Sequence, residues 1–258
     1  IIAILTTVFG VTTSLGLGTI QISSGLSHVF SINETFSNQV IIIAVITLIG
    51  LISVCLGLDS GIKRLSQINM TLATALMLFI FIFGPTVFIL NALIQNFGSY
   101  VNTLIESATW TEVYETTSWQ NGWTLFFYTW WFAWAPFVSL FIARISYGRT
   151  IKEFIVGVLF VPSLIVFLWM GVFGNAAIYQ VISNTSDISQ VVANNLPVAL
   201  FTLYDVYPFA KALSIVSLIL IITFFVTSSD SGALVASMLS SKDQSDINDD
   251  SPMISRVT

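Results

Sequence analysis

One uninterrupted apolar stretch, from Trp123 to Arg144, constrains the fold more than any other part of the chain. It reads WTLFFYTWWFAWAPFVSLFIAR and carries no charged residue before its last position. A helix of about 20 apolar residues crosses the hydrocarbon core of a bilayer, and this stretch is long enough to do so. We therefore predict a transmembrane helix here, in which Pro136 kinks the helix or frees the carbonyl of Phe132.

Five aromatic residues in this stretch recur at intervals of four, three, four and three residues, which places their rings on one face of a helix. This aromatic face consists of Trp123, Phe127, Trp130, Trp134 and Phe137. Trp131 and Tyr128 flank it, about 80° and 140° from its centre. Because tryptophan normally keeps its N–H in the wet interface, an indole face inside a membrane protein suits a cation without hydrogen-bond donors, such as a quaternary ammonium group. The alternative is that the rings simply fill a helix bundle.

Composition sets the class of protein. Of 258 residues, 55% are hydrophobic and 8% are charged, against about 25% charged in soluble domains. We predict an all-α, polytopic membrane protein, because β-barrel strands give shorter and weaker apolar segments. Cys55 is interpreted as a small buried hydrophobe. Six candidate spans follow one another at 1–26, 40–58, 70–97, 122–144, 154–181 and 208–238.

The connections between these spans divide sharply by charge. Every Lys and Arg except Lys211 lies after the second, fourth or sixth span, whereas the opposite connections carry His28 and acidic residues. The positive-inside rule places the basic connections and the polar tail 239–258 in the cytoplasm. We therefore expect a multi-pass protein of the cell membrane, with the lipid bilayer as its surroundings and no nucleic-acid partner.

Two connections are predicted to be helical themselves. Residues 99–109 indicate a short helix in the outer interface, and residues 148–154 indicate a short cytoplasmic helix that leads into the fifth span. The acidic tail is expected to be mobile.

The first and sixth spans both carry polar clusters. Small residues in the first span favour close helix packing: Gly10, Ser14, Gly16 and Gly18. Its hydroxyls either bond back to helix carbonyls or ligate a hard cation such as sodium: Thr6, Thr7, Thr12, Thr13 and Ser14. A similar cluster around Thr223 and Thr227, five spans later, is either a chance echo or the mark of a five-helix transporter repeat.

Asp230 is a carboxylate well inside a predicted span, which makes it a functional candidate. The alternative is that it binds a helix end or a basic residue such as Arg144. His28 and Asp230 fall at opposite ends of their helices, so they do not form a catalytic set with Ser229. We expect that the protein is not an enzyme.

Residues 123–154 resemble the defining stretch of the betaine/carnitine/choline transporter family (BCCT). The resemblance extends to SLGLG at 14–18, to FGPT at 83–86, placed within the third span, and to FFVTSSDS at 224–231. It implies a LeuT-like bundle of about twelve spans with two inverted repeats of five. The six spans here would then be the last three of repeat one, at about 1–97, and the first three of repeat two, at about 122–238.

The resemblance also implies a substrate site. Trp130, Trp131 and Trp134 would form one side of an aromatic cage for a trimethylammonium group. Phe127 and Tyr128 would line the pathway, Tyr128 in place of the family's outer tryptophan, and Phe137 would stand near the substrate or an ion.

A sodium site follows from the same resemblance. The Thr227 and Ser228 hydroxyls, with the Phe224 carbonyl, match the main site, whose other ligands belong to a helix outside this chain. Thr7 matches one ligand of a second site found in some members, but Val11 stands at the other position. We expect no cofactor other than sodium as a coupling ion, and some family members use protons or exchange substrates instead.

Together these features predict a secondary active transporter that imports a quaternary-ammonium compound of the glycine betaine, choline or carnitine type. Alternating access would be coupled to a sodium or proton gradient, and a homotrimer is a family expectation. Two alternatives stay open: a LeuT-like carrier for another amine or amino acid, and a membrane receptor that binds without transport.

Overall fold

The structure is a computed structural model that describes residues 2–56, 63–115 and 117–240. Within these ranges, the side chains at 53–56, 63, 144, 145, 234, 237, 238 and 240 are not described. The predictions for the Cys55 side chain, for an Asp230–Arg144 contact and for most of the acidic tail therefore lie outside the described residues.

Every regular element in the described ranges is helical, as the composition predicts. The described residues form ten α-helices: α1 (Ile2–Phe30), α2 (Phe36–Leu56), α3 (Lys63–Phe83), α4 (Thr86–Thr109), α5 (Phe126–Ile145), α6 (Ile151–Ile155), α7 (Val161–Ile182), α8 (Ile188–Asn194), α9 (Ala199–Tyr204) and α10 (Ala210–Ser240). A π-helical turn, Gln120–Leu125, runs into α5, a second, Val156–Phe160, joins α6 to α7, and a 3-10 turn, Leu196–Val198, precedes α9.

Five of the described helical stretches are long and apolar enough to cross a membrane: Ile2–Phe30, Arg64–Phe83, Gln120–Ala143, Ile151–Ile182 and Ala210–Ala233. The second predicted span corresponds to a shorter apolar helix, Phe36–Ile52. The chain is therefore an all-helical, multi-pass membrane protein, as predicted.

The prediction of one continuous third span at 70–97 is wrong. The spanning helix is α3, which ends at Phe83, and α4 begins only at Thr86. Pro85 causes the break, because it has no backbone N–H and disfavours helical geometry at the preceding residue. The Thr86 hydroxyl donates to the Phe81 carbonyl over 2.7 Å and closes the corner. The predicted interfacial helix at 99–109 is consequently the second half of α4.

The predicted short helix at 148–154 corresponds to α6, which leads directly into the fifth span. Thr150 caps α6 in a reciprocal capping box with Glu153, and the helix then continues to Ile182. Pro162, near the start of α7, lacks an N–H, and the π-helical turn immediately before it accommodates this change in the hydrogen-bond ladder. Pro136, by contrast, lies within α5 without ending that helix.

α1 occupies a position between α10, α5 and α2, and it packs chiefly on α10. The small residues explain this position in part: a Cβ on Gly18 would overlap the Phe225 ring of α10, and one on Gly232 would approach Val11 closely. The packing interpretation is thus confirmed at Gly18. It is wrong at Gly16, where a Cβ would meet no described atom within 4 Å.

The outer ends of the helices are joined by polar contacts. His28 lies 3.2 Å from Asp205, and the buried Ser24 hydroxyl donates to Glu34 over 2.9 Å. The charge pattern assigns His28, Asp205 and Glu34 to the same side of the membrane, and these contacts agree with that assignment.

Candidate functional site

The aromatic face runs from the π-helical turn Gln120–Leu125 into α5, and its rings follow one another as the spacing predicts. Trp123 stacks on Phe127 with ring centroids 6.0 Å apart, and Phe127 contacts Trp130 at 5.9 Å. Trp134 then meets Phe137 edge-on at 5.0 Å. Phe137 is 6% exposed, so this end of the row is inside the bundle.

Two further tryptophans extend the row toward the outer side. Trp110 contacts Trp119 at 5.4 Å, and Trp119 contacts Trp123 at 6.4 Å. Sequence reasoning missed both, because Trp110 lies before the apolar stretch and reaches it only through the fold of the intervening connection. That connection is organised by Glu112, whose carboxylate accepts hydrogen bonds from the backbone N–H groups of Trp119 and Gln120 and from Thr117.

The hydroxyl of Ser14 on α1 accepts hydrogen bonds from the indoles of both Trp130 and Trp134. The Trp130 N–H donates to Ser14 Oγ over 3.1 Å, and the Trp134 N–H donates to the same oxygen over 3.2 Å. Ser14 itself donates to the Gly10 carbonyl over 3.0 Å. The sequence singles out Ser14 as a small residue with a hydroxyl. The helical periodicity of α1 does not indicate that this hydroxyl contacts tryptophans more than 100 positions away.

Trp131 and Tyr128 face elsewhere. Trp131 is 69% exposed and shares with Trp134 an open cleft of about 430 Å³. The rest of the cleft is apolar apart from one hydroxyl: Ala135, Val138, Ser139, Ile142, Ala143 and Phe154. Tyr128 is 65% exposed and packs on Phe132 at 5.7 Å. The fold therefore pairs Trp134 with Trp131 at the cleft and with Trp130 at Ser14, but it does not bring Tyr128 to either place.

Thr227 and Phe224 supply oxygens close together on α10. The Thr227 hydroxyl donates back to the Phe224 carbonyl over 3.0 Å and to the Thr223 carbonyl over 3.1 Å, both in the preceding turn of α10. Ser228 is the next residue and is half-buried. A hydroxyl oxygen and carbonyl oxygens are the ligands that a hard cation prefers, so the chemistry of this set fits sodium.

The five hydroxyls that the sequence singles out near the start of α1 all bond to carbonyls of the preceding turn. Thr7 is buried, and its hydroxyl donates to the Ala3 carbonyl over 2.8 Å. The same bond recurs along the helix at Thr6, Thr12, Thr13 and Ser14. Back-bonding, one of the two interpretations drawn from the sequence, is therefore confirmed, whereas ion ligation by Thr7 stays a prediction.

Asp230 is 1% exposed and lies against α2, where a Cβ on Gly50 would stand 3.2 Å from its carboxylate. His28 is engaged with Asp205 at the outer end of α1. A contact between His28 and Asp230 is therefore not formed, in agreement with the exclusion of a catalytic set.

Comparison with known proteins agrees with this architecture. The chain is 47% identical over 236 residues to a glycine betaine/proline/choline transporter of Vibrio parahaemolyticus, an alignment that covers 91% of the chain and 42% of the relative. It is 41% identical over 252 residues to a glycine betaine transporter of Acinetobacter baylyi, covering 97% of the chain and 37% of the relative. It is 41% identical over 258 residues to the high-affinity choline transport protein of Escherichia coli K12, covering 100% of the chain and 38% of the relative.

The chain thus spans about two fifths of the length of these relatives. The relatives are named as transporters, which agrees with the expectation that the protein is not an enzyme. A sequence model of the betaine/carnitine/choline family of transporters matches residues 1–257. Together with the helical bundle and its aromatic face, this match shows that the chain belongs to the BCCT family.

Proposed function

We propose that the chain is part of a secondary active transporter that imports a quaternary-ammonium solute, such as glycine betaine or choline. The observation that carries the proposal is the arrangement of Trp130 and Trp134, whose N–H groups are both taken up by Ser14. Their π faces are the part of these rings left for a ligand. The names of the relatives, which include betaine and choline transporters, support the same substrate class.

The rings suit a trimethylammonium group for a physical reason. Such a cation has no N–H to donate, so it gains little from polar ligands but is attracted by the negative face of an aromatic ring. Each contact contributes roughly 0.5–2 kcal/mol, so two or three rings bind the cation while still allowing release. We propose Trp130, Trp131 and Trp134 as one side of this cage, with Phe127 and Phe137 beside the pathway. A pathway role for Tyr128 stays a prediction from the resemblance, since this ring packs on Phe132.

Transport would follow from alternating access. In carriers built from inverted repeats, one group of helices rocks against the other around a fixed midplane site. The two sets of spans at 1–97 and 122–238 would belong to different repeats of such a carrier. An ion bound between the moving groups favours one state only by its differential affinity, which couples its gradient to uptake.

Sodium is the proposed coupling ion. Thr227, Ser228 and the Phe224 carbonyl would supply part of its oxygen ligands, and Thr7 is a candidate for a second site. Support comes from the resemblance to the family's main sodium site and from the oxygen chemistry of these groups, which suits a hard cation. A proton gradient is the alternative, because Val11 replaces a hydroxyl at the second site and weakens the case for two ions.

The substrate proposal is tested by uptake of labelled betaine and choline into cells that express the complete protein. We expect accumulation that Trp134→Ala abolishes and that Phe132→Ala, on the opposite face of α5, leaves largely intact. An uptake rate that Trp134→Ala leaves unchanged would contradict the proposed cage. Binding without accumulation would support the receptor alternative, and uptake of amino acids alone would support another LeuT-like carrier.

Coupling is tested separately by varying sodium and pH outside the cells. Thr227→Val should raise the sodium concentration for half-maximal uptake, whereas Thr13→Val, which removes an exposed back-bonded hydroxyl of α1, should not. Uptake driven by a proton gradient in the absence of sodium would replace sodium with the proton. The homotrimer, proposed from the family resemblance, is tested by light scattering of the purified complete protein.

A further inference from the structure

We propose that Ser14 is the positioning residue of the aromatic site: it sets the orientation of Trp130 and Trp134 and removes their N–H groups from the substrate path. This inference rests on the proposed function, because it assigns a role within the same site. It concerns a residue of α1 that acts on the cation only through the two indoles of α5.

The hydrogen bonds at Ser14 leave no capacity for a ligand. A serine hydroxyl has one proton to donate and two lone pairs that accept. Here the proton goes to the Gly10 carbonyl, and the two lone pairs accept from Trp130 and Trp134. The residue is buried, so water does not compete freely for these bonds. In this arrangement Ser14 therefore holds the two indole N–H groups in place and does not bind a ligand itself.

Gly10, one helical turn before Ser14, allows the close approach of α5 to α1 at this site. A Cβ at Gly10 would lie 3.2 Å from Cδ1 of Trp134 and 3.3 Å from the Ala133 carbonyl oxygen. Contacts this short leave little room for a side chain, so glycine allows α5 to approach α1 closely enough for the indoles to reach Ser14. The glycine supplies the space, and the serine supplies the acceptor.

The consequence for recognition is electrostatic. An indole N–H is the positive edge of a ring whose face is negative, and a buried N–H needs an acceptor. When Ser14 takes both N–H groups, the surfaces left for a ligand are π faces, which favour a methylated cation. Without Ser14 each N–H must find another acceptor, which turns the rings and brings hydrogen-bond donors into the path.

The test compares Ser14→Ala with Thr19→Val in the complete protein. Thr19 is a matched control, because it is buried on α1 and its hydroxyl bonds back to Leu15 over 2.7 Å. We expect Ser14→Ala to raise the KM for betaine uptake about tenfold, with a smaller change in maximal rate, and Thr19→Val to leave KM unchanged. Ser14→Cys, which keeps the size but accepts weakly, should give an intermediate KM.

A double-mutant comparison separates positioning from a general structural role. In Trp130→Phe and in Trp134→Phe backgrounds, Ser14→Ala should raise KM by a smaller factor, because one of its two partners is already gone. The same factor in all three backgrounds would overturn the inference, and so would a KM for Ser14→Ala or Ser14→Cys equal to that of the wild type. If the wild-type protein accumulates no quaternary amine, the proposed function itself fails, which is a different outcome.

Discussion

The imidazole of His28, in the last turn of α1, lies 3.2 Å from a carboxylate oxygen of Asp205, just after α9. The same imidazole stacks on Phe201 with ring centroids 6.0 Å apart. The His28 side chain thus joins the outer end of α1 to the segment around α9, through both a polar and an aromatic contact.

The polar contact of His28 is expected to contribute little to stability. The two side chains are 25% and 51% exposed, and ion pairs at such positions are worth up to about 1 kcal/mol and are screened by salt. A double-mutant cycle of His28→Gln and Asp205→Asn, followed by thermal unfolding in detergent, should give a small coupling that falls in high salt. A coupling that is large and independent of salt would contradict this expectation.

Gly25 and Gly16 should respond in opposite ways to an added methyl group. A Cβ at Gly25 would overlap the fully buried Phe201 ring and approach Leu218, whereas one at Gly16 meets no described atom within 4 Å. Gly25→Ala should therefore destabilise the protein by about 1–3 kcal/mol. Gly16→Ala is the matched control on the same helix and should be neutral or slightly stabilising, because alanine favours helix over glycine. Equal unfolding temperatures for the two variants would show that the close packing at Gly25 is wrong.

Asn69 and Thr223 form a polar contact between α3 and α10. Thr223 Oγ1 lies 2.6 Å from Asn69 Oδ1, and Asn69 is buried with its amide nitrogen unpaired within the described part of the chain. Thr223→Val removes this partner and should cost about 1–2 kcal/mol, because it leaves a buried polar group unsatisfied.

The double substitution Asn69→Leu with Thr223→Val provides the control for that pair. It removes both polar groups and should be more stable than Thr223→Val alone, because apolar replacement of both partners avoids the desolvation penalty. Unfolding measurements in detergent compare the two. A double variant less stable than the single one would contradict the pairing.

Glu112 should make the outer connection sensitive to acid. The Thr117 hydroxyl, and then the Gln120 amide N–H, hold the pKa of this carboxyl below its usual value. Because the pKa is lowered in the folded state, the stabilisation is present above the usual carboxyl pKa and is lost as pH falls through the lowered value. Amide exchange at Trp119 and Gln120 should therefore accelerate, relative to an unfolded reference, only in acid.

Two substitutions check the assignment to Glu112. Glu112→Gln should show faster exchange at Trp119 and Gln120 already at neutral pH, because the amide accepts these bonds less strongly than a carboxylate. Glu115→Gln, at a neighbouring exposed carboxylate, should behave like the wild type. Protection that is the same in both variants and independent of pH would show that Glu112 does not hold this connection.

Local rules explain most of what could be predicted about the fold. The helix and the aromatic face of residues Trp123 to Arg144 could be predicted, because both depend on length, polarity and a period of 3.6 residues. The break at Pro85 follows from an equally local property, the missing N–H, but the continuous hydropathy on both sides concealed it and led to one span in place of two helices.

Contacts between residues far apart in the sequence could not be predicted from such local rules. Gly16 and Gly18 are alike in sequence, yet only Gly18 faces a ring, Phe225, because the orientation of α10 decides what each glycine meets. Trp130 and Trp131 are adjacent and chemically identical, yet one donates to Ser14 and the other lines the cleft, because a helix turns successive side chains by about 100°.

The sequence by itself determined the class of the protein, the approximate position of most of its membrane helices and the family to which they are similar, since hydropathy, helical period and motif are properties of neighbouring residues. Only the tertiary structure decided that the two inner tryptophans share one acceptor on α1. That contact joins residues 116 and 120 positions apart, and it forms because the packing of whole helices, which no local pattern encodes, brings Ser14 to face them.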